Sequence, residues 1–185
     1  MVNWAAYIEL PVAEVPAFMI DVHGRPRVGS LPPGAMRPDE EDRLKALMAE
    51  NLPSYYGDII ARTQNTYVQL IYTTALPAYA RGRMALIGDA GMVAQPFTGS
   101  GIFKGYQNAK ALLDALASST DLDAALESWS RDQTRLGHRL LTLGEQMERA
   151  FIWEPLDLAH ADAEATEAWW RRSVAFPGDF SYEES

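Results

Sequence analysis

The sequence predicts an α+β fold: an antiparallel sheet with two helices, then one strand with a glycine-rich turn and a helix, then further helices. Three observations predict it. Apolar and polar residues alternate as in strands over much of residues 1–80, and a predicted strand over residues 83–87, apolar from Met84 onward, stops at a Gly-Asp pair. From residue 121 onward, apolar residues recur at helical spacing.

Antiparallel strands are expected within the first thirty residues, because the alternation there is interrupted by a turn at His23-Gly24. The predicted strands cover residues 4–10, 18–22 and 25–30. Two consecutive prolines and a glycine at positions 32–34 then end the sheet, since proline has no backbone donor for a ladder.

Two helices and a longer strand should follow. Asp39 is predicted to cap a helix over residues 40–51, and a second helix is predicted over residues 54–62. Residues 65–74 alternate with Val68 and Leu70 on one face, which predicts a half-buried strand.

The segment after residue 82 carries the chemistry. A strand is predicted over residues 83–87, in which Met84 to Ile87 are apolar without alternation, and this suits burial on both faces in a parallel sheet. Gly88 and Asp89 follow, then an irregular turn at residues 95–101, then a helix predicted over residues 102–117. A carboxylate at the end of such a strand, facing a helix N-terminus, is well placed for a polyol hydroxyl.

Backbone N–H groups around Gly99, Ser100 and Gly101 would stabilise an anion or a polarised carbonyl, and the glycines would let a flat ring approach. A simple turn in which Asp89 caps a helix is the alternative. A dinucleotide fingerprint at residues 99–105 is rejected, because its third glycine comes one residue late and a loop, not a strand, precedes it.

The C-terminal part is expected to be helical. One helix should begin at Asp121 or Asp123 and break near Gly137, and a last helix should cover residues 162–172. Residues 177–185 are acidic and rich in turn-forming residues, which predicts a loose tail.

Composition excludes several classes of function. A net charge of −9 leaves no basic stripe for nucleic acid or an anionic membrane surface, and no apolar run is long enough to span a membrane. The absence of cysteine excludes disulfides and thiolate chemistry, and it fits a cytoplasmic protein. No two of the three histidines have metal-ligand spacing, so we expect no metal site.

Residues 83–91, followed by Pro96, Gly99, Gly101 and Asn108-Ala109, resemble the second flavin-binding signature of the class A flavoprotein monooxygenases, the para-hydroxybenzoate hydroxylase superfamily. Within that superfamily the sequence is most similar to the 2,6-dihydroxypyridine 3-monooxygenase group. The resemblance runs from about residue 3 to about residue 130 and fades in the C-terminal helices.

The resemblance implies an FAD-dependent enzyme that uses NADH or NADPH and O2, and that oxygenates an aromatic or polycyclic molecule through a flavin hydroperoxide. Asp89 would hydrogen-bond the ribityl chain, and the following turn would line the flavin ring. No side chain is assigned a catalytic role. The cofactor-binding residues implied are Gly88, Asp89, Pro96, Thr98, Gly99, Ser100 and Gly101.

Substrate contacts are implied for residues on the sheet that covers the substrate pocket in this family. They are Trp4, Tyr7, Gln69 and Tyr72, together with Phe97, which stands where related sequences carry histidine. Residues of this kind are more often ordinary structural residues of a sheet than substrate contacts. Lys104 could approach an anionic flavin or could be a solvated helix lysine.

A partner is implied because the family's N-terminal nucleotide-binding half is not found in this sequence. The predicted divisions are a substrate-domain sheet (1–80), the flavin-contacting strand, turn and helix (81–118), C-terminal helices (119–176) and the tail. We therefore expect one subunit of a split, heterodimeric monooxygenase whose other polypeptide carries that half. A truncated product with a remodelled core, or a binding subunit that has lost flavin, are the alternatives.

Overall fold

The computed structural model describes residues 4–175. The chain folds as two compact units. The first, the 8–71 unit, comprises residues 8–71; the second, the 72–175 unit, comprises the described chain from residue 72 onward together with residues 4–7. The predicted α+β class is confirmed, because short antiparallel strand pairs alternate with helices. The finer predicted boundaries at residues 80, 118 and 176 stay predictions.

The 8–71 unit consists of three helices and one strand pair. Its elements are α1 (Val15–Phe18), β1 (Ser30–Leu31), α2 (Pro38–Asn51), α3 (Ser54–Ala61) and β2 (Val68–Gln69). β1 and β2 are antiparallel, with Leu31 opposite Val68. The buried core consists of Phe18, Met19, Leu31 and Met36.

The N-terminal strand predictions were wrong except for the turn at His23-Gly24, which an antiparallel bridge closes. Residues 4–10 have no regular structure, residue 18 ends the helical turn α1, and only an isolated bridge joins Ile20 to Pro26. Pro16 explains α1, because its fixed φ suits a first helical turn. Alternation alone cannot separate such a turn from a strand.

The predictions for the helix over residues 40–51 and the strand over residues 65–74 agree better with the structure. α2 begins at Pro38, so Arg37 is the N-cap and Asp39 lies in the first turn, where the helix dipole favours an acid. In the predicted strand over residues 65–74, only Val68 and Gln69 pair within the unit. The predicted alternation is confirmed, since Val68 and Leu70 pack on the core while Tyr67 and Ile71 are exposed.

The buried Asp21 side chain organises an exposed turn in this unit. Its side chain accepts the backbone N–H groups of His23 and Arg25, both at 2.9 Å, and the Nε of Arg27 at 2.7 Å. The hydrogen bond from Arg25, together with Arg27 and His23, lowers the pKa of Asp21 to about 2 against the opposing effect of burial.

Asp21→Asn should make the free energy of unfolding of the 8–71 unit less dependent on pH in the acid range. Because the pKa of Asp21 is lower in the folded protein than its ordinary value of 3.8, its stabilisation is present above that value and is lost as the pH falls toward about 2. Urea unfolding at several pH values, followed by Tyr fluorescence, measures this. Identical pH dependence in the variant and the parent chain would contradict it.

The 72–175 unit contains the glycine-rich segment. Its strands are β3 (Thr74–Ala75), β4 (Ala80–Arg81), β5 (Met84–Ala85) and β6 (Met92–Val93), and its helices are α4 (Gly101–Ser118), α5 (Leu122–Glu148) and α6 (Ala163–Val174). β3 pairs with β6 and β4 with β5, both antiparallel. The core consists of Tyr79, Met92, Trp129 and Leu140.

α5 is continuous through Gly137, so the predicted break there was wrong. A Cβ at Gly137 would lie 2.9 Å from the Tyr79 hydroxyl oxygen, so this glycine admits the buried Tyr79 ring. Asp121, one of the two predicted helix starts, is the N-cap and accepts the N–H groups of Asp123 and Ala124.

The strand predicted at residues 83–87 is shorter and more exposed than expected. Only Met84 and Ala85 are in β5, which pairs with β4 in an antiparallel hairpin, and Met84 is 71% exposed. Burial on both faces in a parallel sheet is therefore not present within the described chain.

The last helix, α6, agrees with the predicted position. The predicted tail at residues 177–185 lies outside the described residues. Between residues 4 and 175, we find no helix that combines the length and apolar character needed to cross a membrane.

Candidate functional site

The Gly88-Asp89 pair forms a tight turn against α4. Gly88 has a φ of +60°, and its backbone N–H donates to Asn108 Oδ1 at 2.9 Å. A Cβ at Gly88 would lie 3.8 Å from the Cα of Gly105, so the turn and the helix approach closely. The turn therefore rests directly on the first half of α4.

Asp89 makes an ion pair and does not cap a helix. It lies in a 3₁₀ turn, Gly88–Ala90, and its Oδ1 is 2.8 Å from Lys104 Nζ. Lys104 also donates to the Met92 carbonyl oxygen. The Asp89 carboxylate is 77% exposed whereas the Lys104 side chain is 2% exposed, so the interpretation of Lys104 as a solvated lysine was wrong.

The second turn, residues 96–101, leads into the N-terminus of α4. Thr98 Oγ1 donates to the Gln95 carbonyl oxygen and lies 2.8 Å from Ser100 Oγ. Ser100 is the N-cap of α4 but makes no capping hydrogen bond, so no side chain caps the first turn of this helix. Gly99 has a φ of +65° at the bend.

Glycines keep the space in front of this helix end open. A Cβ built at Gly99 or at Gly101 would meet no atom within 4 Å. With the exposed Asp89 on the adjacent turn, this gives a carboxylate, an uncapped helix N-terminus and a surface without side chains. A flat, partly anionic ring with a polyol chain fits these features, as flavin does.

Gln95 anchors the second turn to α5. It is buried, and its Nε2 donates to Glu148 Oε2 at 2.7 Å. A Cβ at Gly144 would lie 2.0 Å from Gln95 Oε1, so the glycine in α5 makes room for the amide. The turn is thus fixed from the side of the protein interior.

Sequence reasoning missed the buried polar residues below the first turn. Asn108 is 1% exposed, its Nδ2 donates to Gln133 Oε1 at 2.8 Å, and its carbonyl oxygen accepts Trp129 Nε1 at 3.1 Å. Lys104 and Asn108 are four residues apart and share the inner face of α4. The sequence does contain a signal for these residues: a lysine and an asparagine stand on the helix face that packs on the core.

The substrate-side residues fall into two groups. Tyr7 and Phe97 contact each other edge to face, with ring centroids 5.3 Å apart, while Trp4 is half-buried and Tyr72 exposed in the same unit. Gln69 lies in the other unit, where its amide donates to the carbonyl oxygens of Gly29 and Leu70. Their roles toward a substrate stay predictions.

Metal ligation has no candidate in the part of the chain that the structure describes, since no group of three or more histidine, aspartate or glutamate side chains is gathered there. His160 contacts Asp157 at 2.7 Å on an exposed segment. That contact is local and lies outside the two turns.

Comparisons with known proteins show what the fold resembles. A family model described as FAD binding domain-like matches residues 1–73. The solved structure of 2,6-dihydroxypyridine-3-hydroxylase from Arthrobacter nicotinovorans superposes with a TM-score of 0.67 at 23% identity, over 78% of this chain. This chain carries part of the class A FAD-dependent monooxygenase fold. The resemblance predicted from the residues is thereby confirmed at the level of the fold.

Other class A monooxygenase relatives give the same result. The chain is 26% identical to 2,6-dihydroxypyridine 3-monooxygenase of Paenarthrobacter nicotinovorans over 98 residues. The aligned region covers 53% of this chain and 25% of that enzyme. It matches the structure of PqsL, a probable FAD-dependent monooxygenase from Pseudomonas aeruginosa, with a TM-score of 0.51 at 21% identity, over 75% of this chain and 35% of that one. The Arthrobacter structure is covered to 37%. The chain therefore spans between a quarter and little more than a third of the length of these relatives.

Proposed function

We propose that this chain is the flavin-ring-contacting subunit of a split FAD-dependent monooxygenase that oxygenates an aromatic or polycyclic small molecule. The observation that carries the proposal is the uncapped N-terminus of α4 with its open glycine surface, on a helix that also holds the turn with the exposed Asp89 carboxylate. Bound FAD would supply oxygen activation, with NADH or NADPH and O2 as co-substrates.

The chain's own residues would bind and stabilise the cofactor. Asp89 would accept hydrogen bonds from ribityl hydroxyl groups, as an exposed carboxylate fixed on one side can. The first-turn N–H groups of α4 would stabilise negative charge on the flavin ring, because the helix dipole adds to their donors. Gly99 and Gly101 would let the ring lie against the backbone.

An aromatic substrate would meet the Tyr7 and Phe97 pair. Their edge-to-face packing places an aromatic wall beside the 96–101 turn, where Phe97 is located. Aromatic rings contribute apolar area and a quadrupole that suits another ring. The pair therefore favours an electron-rich aromatic substrate over an aliphatic one.

A partner polypeptide carrying the nucleotide-binding half is part of the proposal. Large apolar side chains are exposed on α4 and form the outer α4 surface, which consists of Ile102, Phe103 and Tyr106. Met84, Leu86 and Ile87, in the segment before Gly88, are exposed as well. Exposed apolar patches of this kind mark protein interfaces. The part of the relatives' fold that this chain does not cover is a suitable partner for this surface.

Copurification tests the proposal. We expect the chain coexpressed with the products of neighbouring genes to form a complex that carries the absorbance bands of FAD, with a mass equal to the sum of two different subunits. A chain that stays monomeric and colourless in every coexpression, even after addition of FAD, would overturn it. That result would favour a binding subunit that has lost flavin.

Gly101→Ala should weaken FAD binding by about tenfold or more, because a methyl group would enter the space of the ring. Stability should not fall, since the added Cβ meets no protein atom and alanine is the better helix former. Fluorescence titration with FAD and thermal unfolding measure the two effects. Ser118→Ala, at the other end of α4, is the control. Equal FAD affinity in Gly101→Ala and Ser118→Ala would show that the flavin ring does not lie against Gly101.

A further inference from the structure

The inner face of α4 buries a charged side chain next to the site. Lys104 is 2% exposed, although burial of an ammonium group is unfavourable unless the group is paired and hydrogen-bonded. It also lies in the first turns of α4, where the helix dipole disfavours a cation. Neither packing nor helix stability explains a lysine here.

The contacts of Lys104 do explain it. Its Nζ joins the Asp89 carboxylate to the Met92 carbonyl oxygen, so one ammonium group ties two points of the 88–92 turn to α4. One helical turn later, Asn108 Oδ1 accepts the Gly88 N–H. The start, middle and end of the turn are thus each held by the same face of one helix.

The Lys104–Asp89 pair is asymmetric. The ammonium group is buried while the carboxylate is largely exposed, and only Oδ1 faces the lysine at 2.8 Å. The pair therefore orients the carboxylate without removing it from solvent. In an ordinary surface ion pair both groups move freely and little orientation results.

We propose that Lys104 is a positioning residue: it holds the 88–92 turn against α4 and points the Asp89 carboxylate outward, toward the polyol part of a bound cofactor. The inference rests on the proposed function for the identity of that ligand. The orientation of the turn itself requires no ligand. Asn108 supports the same turn through Gly88.

Lys104→Met keeps the length of the side chain and removes the ammonium group. Lys110→Met is the matched control, because Lys110 lies on the same helix and pairs with Asp114 at 2.7 Å on an exposed surface. Amide hydrogen exchange of the chain, measured by NMR, reports the turn without any ligand. FAD titration of the chain, or of its complex with the partner, reports the site.

Lys104→Met should speed exchange of the Gly88 and Gly91 amides by about tenfold or more, relative to amides in the middle of α5. Lys110→Met should leave the exchange rates of the Gly88 and Gly91 amides unchanged. Unaltered exchange at Gly88 and Gly91 in Lys104→Met would overturn the proposal. Equal acceleration throughout the 72–175 unit would also overturn it, since that result indicates a general loss of stability.

The double variant Lys104→Met/Asp89→Ala tests whether Lys104 affects FAD binding through Asp89. If Lys104 acts through Asp89, Lys104→Met should weaken FAD binding in the parent chain and should have no further effect once Asp89 is alanine. An additive loss would overturn action through Asp89. Asp89→Ala with unchanged FAD affinity, but with altered exchange in Lys104→Met, would refute the ribityl role of Asp89 in the proposed function and retain the positioning of the turn.

Discussion

Gly91→Ala is expected to lower the free energy of unfolding by about 2–3 kcal/mol, as overpacking of a buried site does. A Cβ at Gly91 would lie 2.4 Å from Cε1 and 2.7 Å from Cδ1 of Tyr79. The Tyr79 ring is 1% exposed and packs edge to face on Trp129, so it has no space into which to move. The backbone at Gly91 is held as well, since its carbonyl oxygen accepts the Leu76 N–H at 3.0 Å.

Urea unfolding followed by Trp fluorescence measures this loss, and Gly101→Ala serves as the control because its added methyl group meets no atom. Replacing Tyr79 by leucine in the Gly91→Ala background should recover part of the stability, since the clash is with the ring. An unfolding midpoint of Gly91→Ala that equals that of Gly101→Ala would show that Tyr79 and Gly91 are not in contact.

Ile102→Glu combined with Phe103→Glu is expected to weaken partner association by about 100-fold or more, because two charges would be buried at the centre of the proposed interface. Both side chains are exposed in the chain itself, Ile102 to 88%, so the fold should be unaffected. The outer α4 surface would lose its apolar character while Lys104 and Asn108 on the inner face stay in place.

Sedimentation of the coexpressed complex measures the loss of association, and FAD should be lost with the partner. Arg131→Glu is the control, since Arg131 lies on α5 in an exposed pair with Glu127. Unimpaired assembly of the Ile102→Glu/Phe103→Glu variant would move the partner's docking site away from the outer α4 surface. Circular dichroism of the variant alone verifies that its fold is intact.

Helices were the part of the fold that could be predicted most completely. α2 to α6 appear near their predicted positions because apolar residues at helical spacing bury one face, a local property that a sequence displays. The short strands were predicted less well. Residues 83–87 show why: their apolar run predicts burial on both faces, yet the described chain supplies only β4 as a neighbour.

For the candidate site, the residues by themselves determined the order of its parts: a Gly-Asp turn, a second glycine-rich turn and a helix whose N-terminus follows. These are local features, and the resemblance to the class A monooxygenases could be recognised from them.

Only the tertiary structure decided which side chains hold the two turns. Lys104 meets Asp89, Asn108 meets Gly88 and Gln133, and Gln95 meets Glu148. Periodicity marks the face of a helix that is buried, but it does not state which distant residue will pack there or whether a buried polar group will find a partner. Those pairings depend on how α4 and α5 pack together, which is a property of the folded chain.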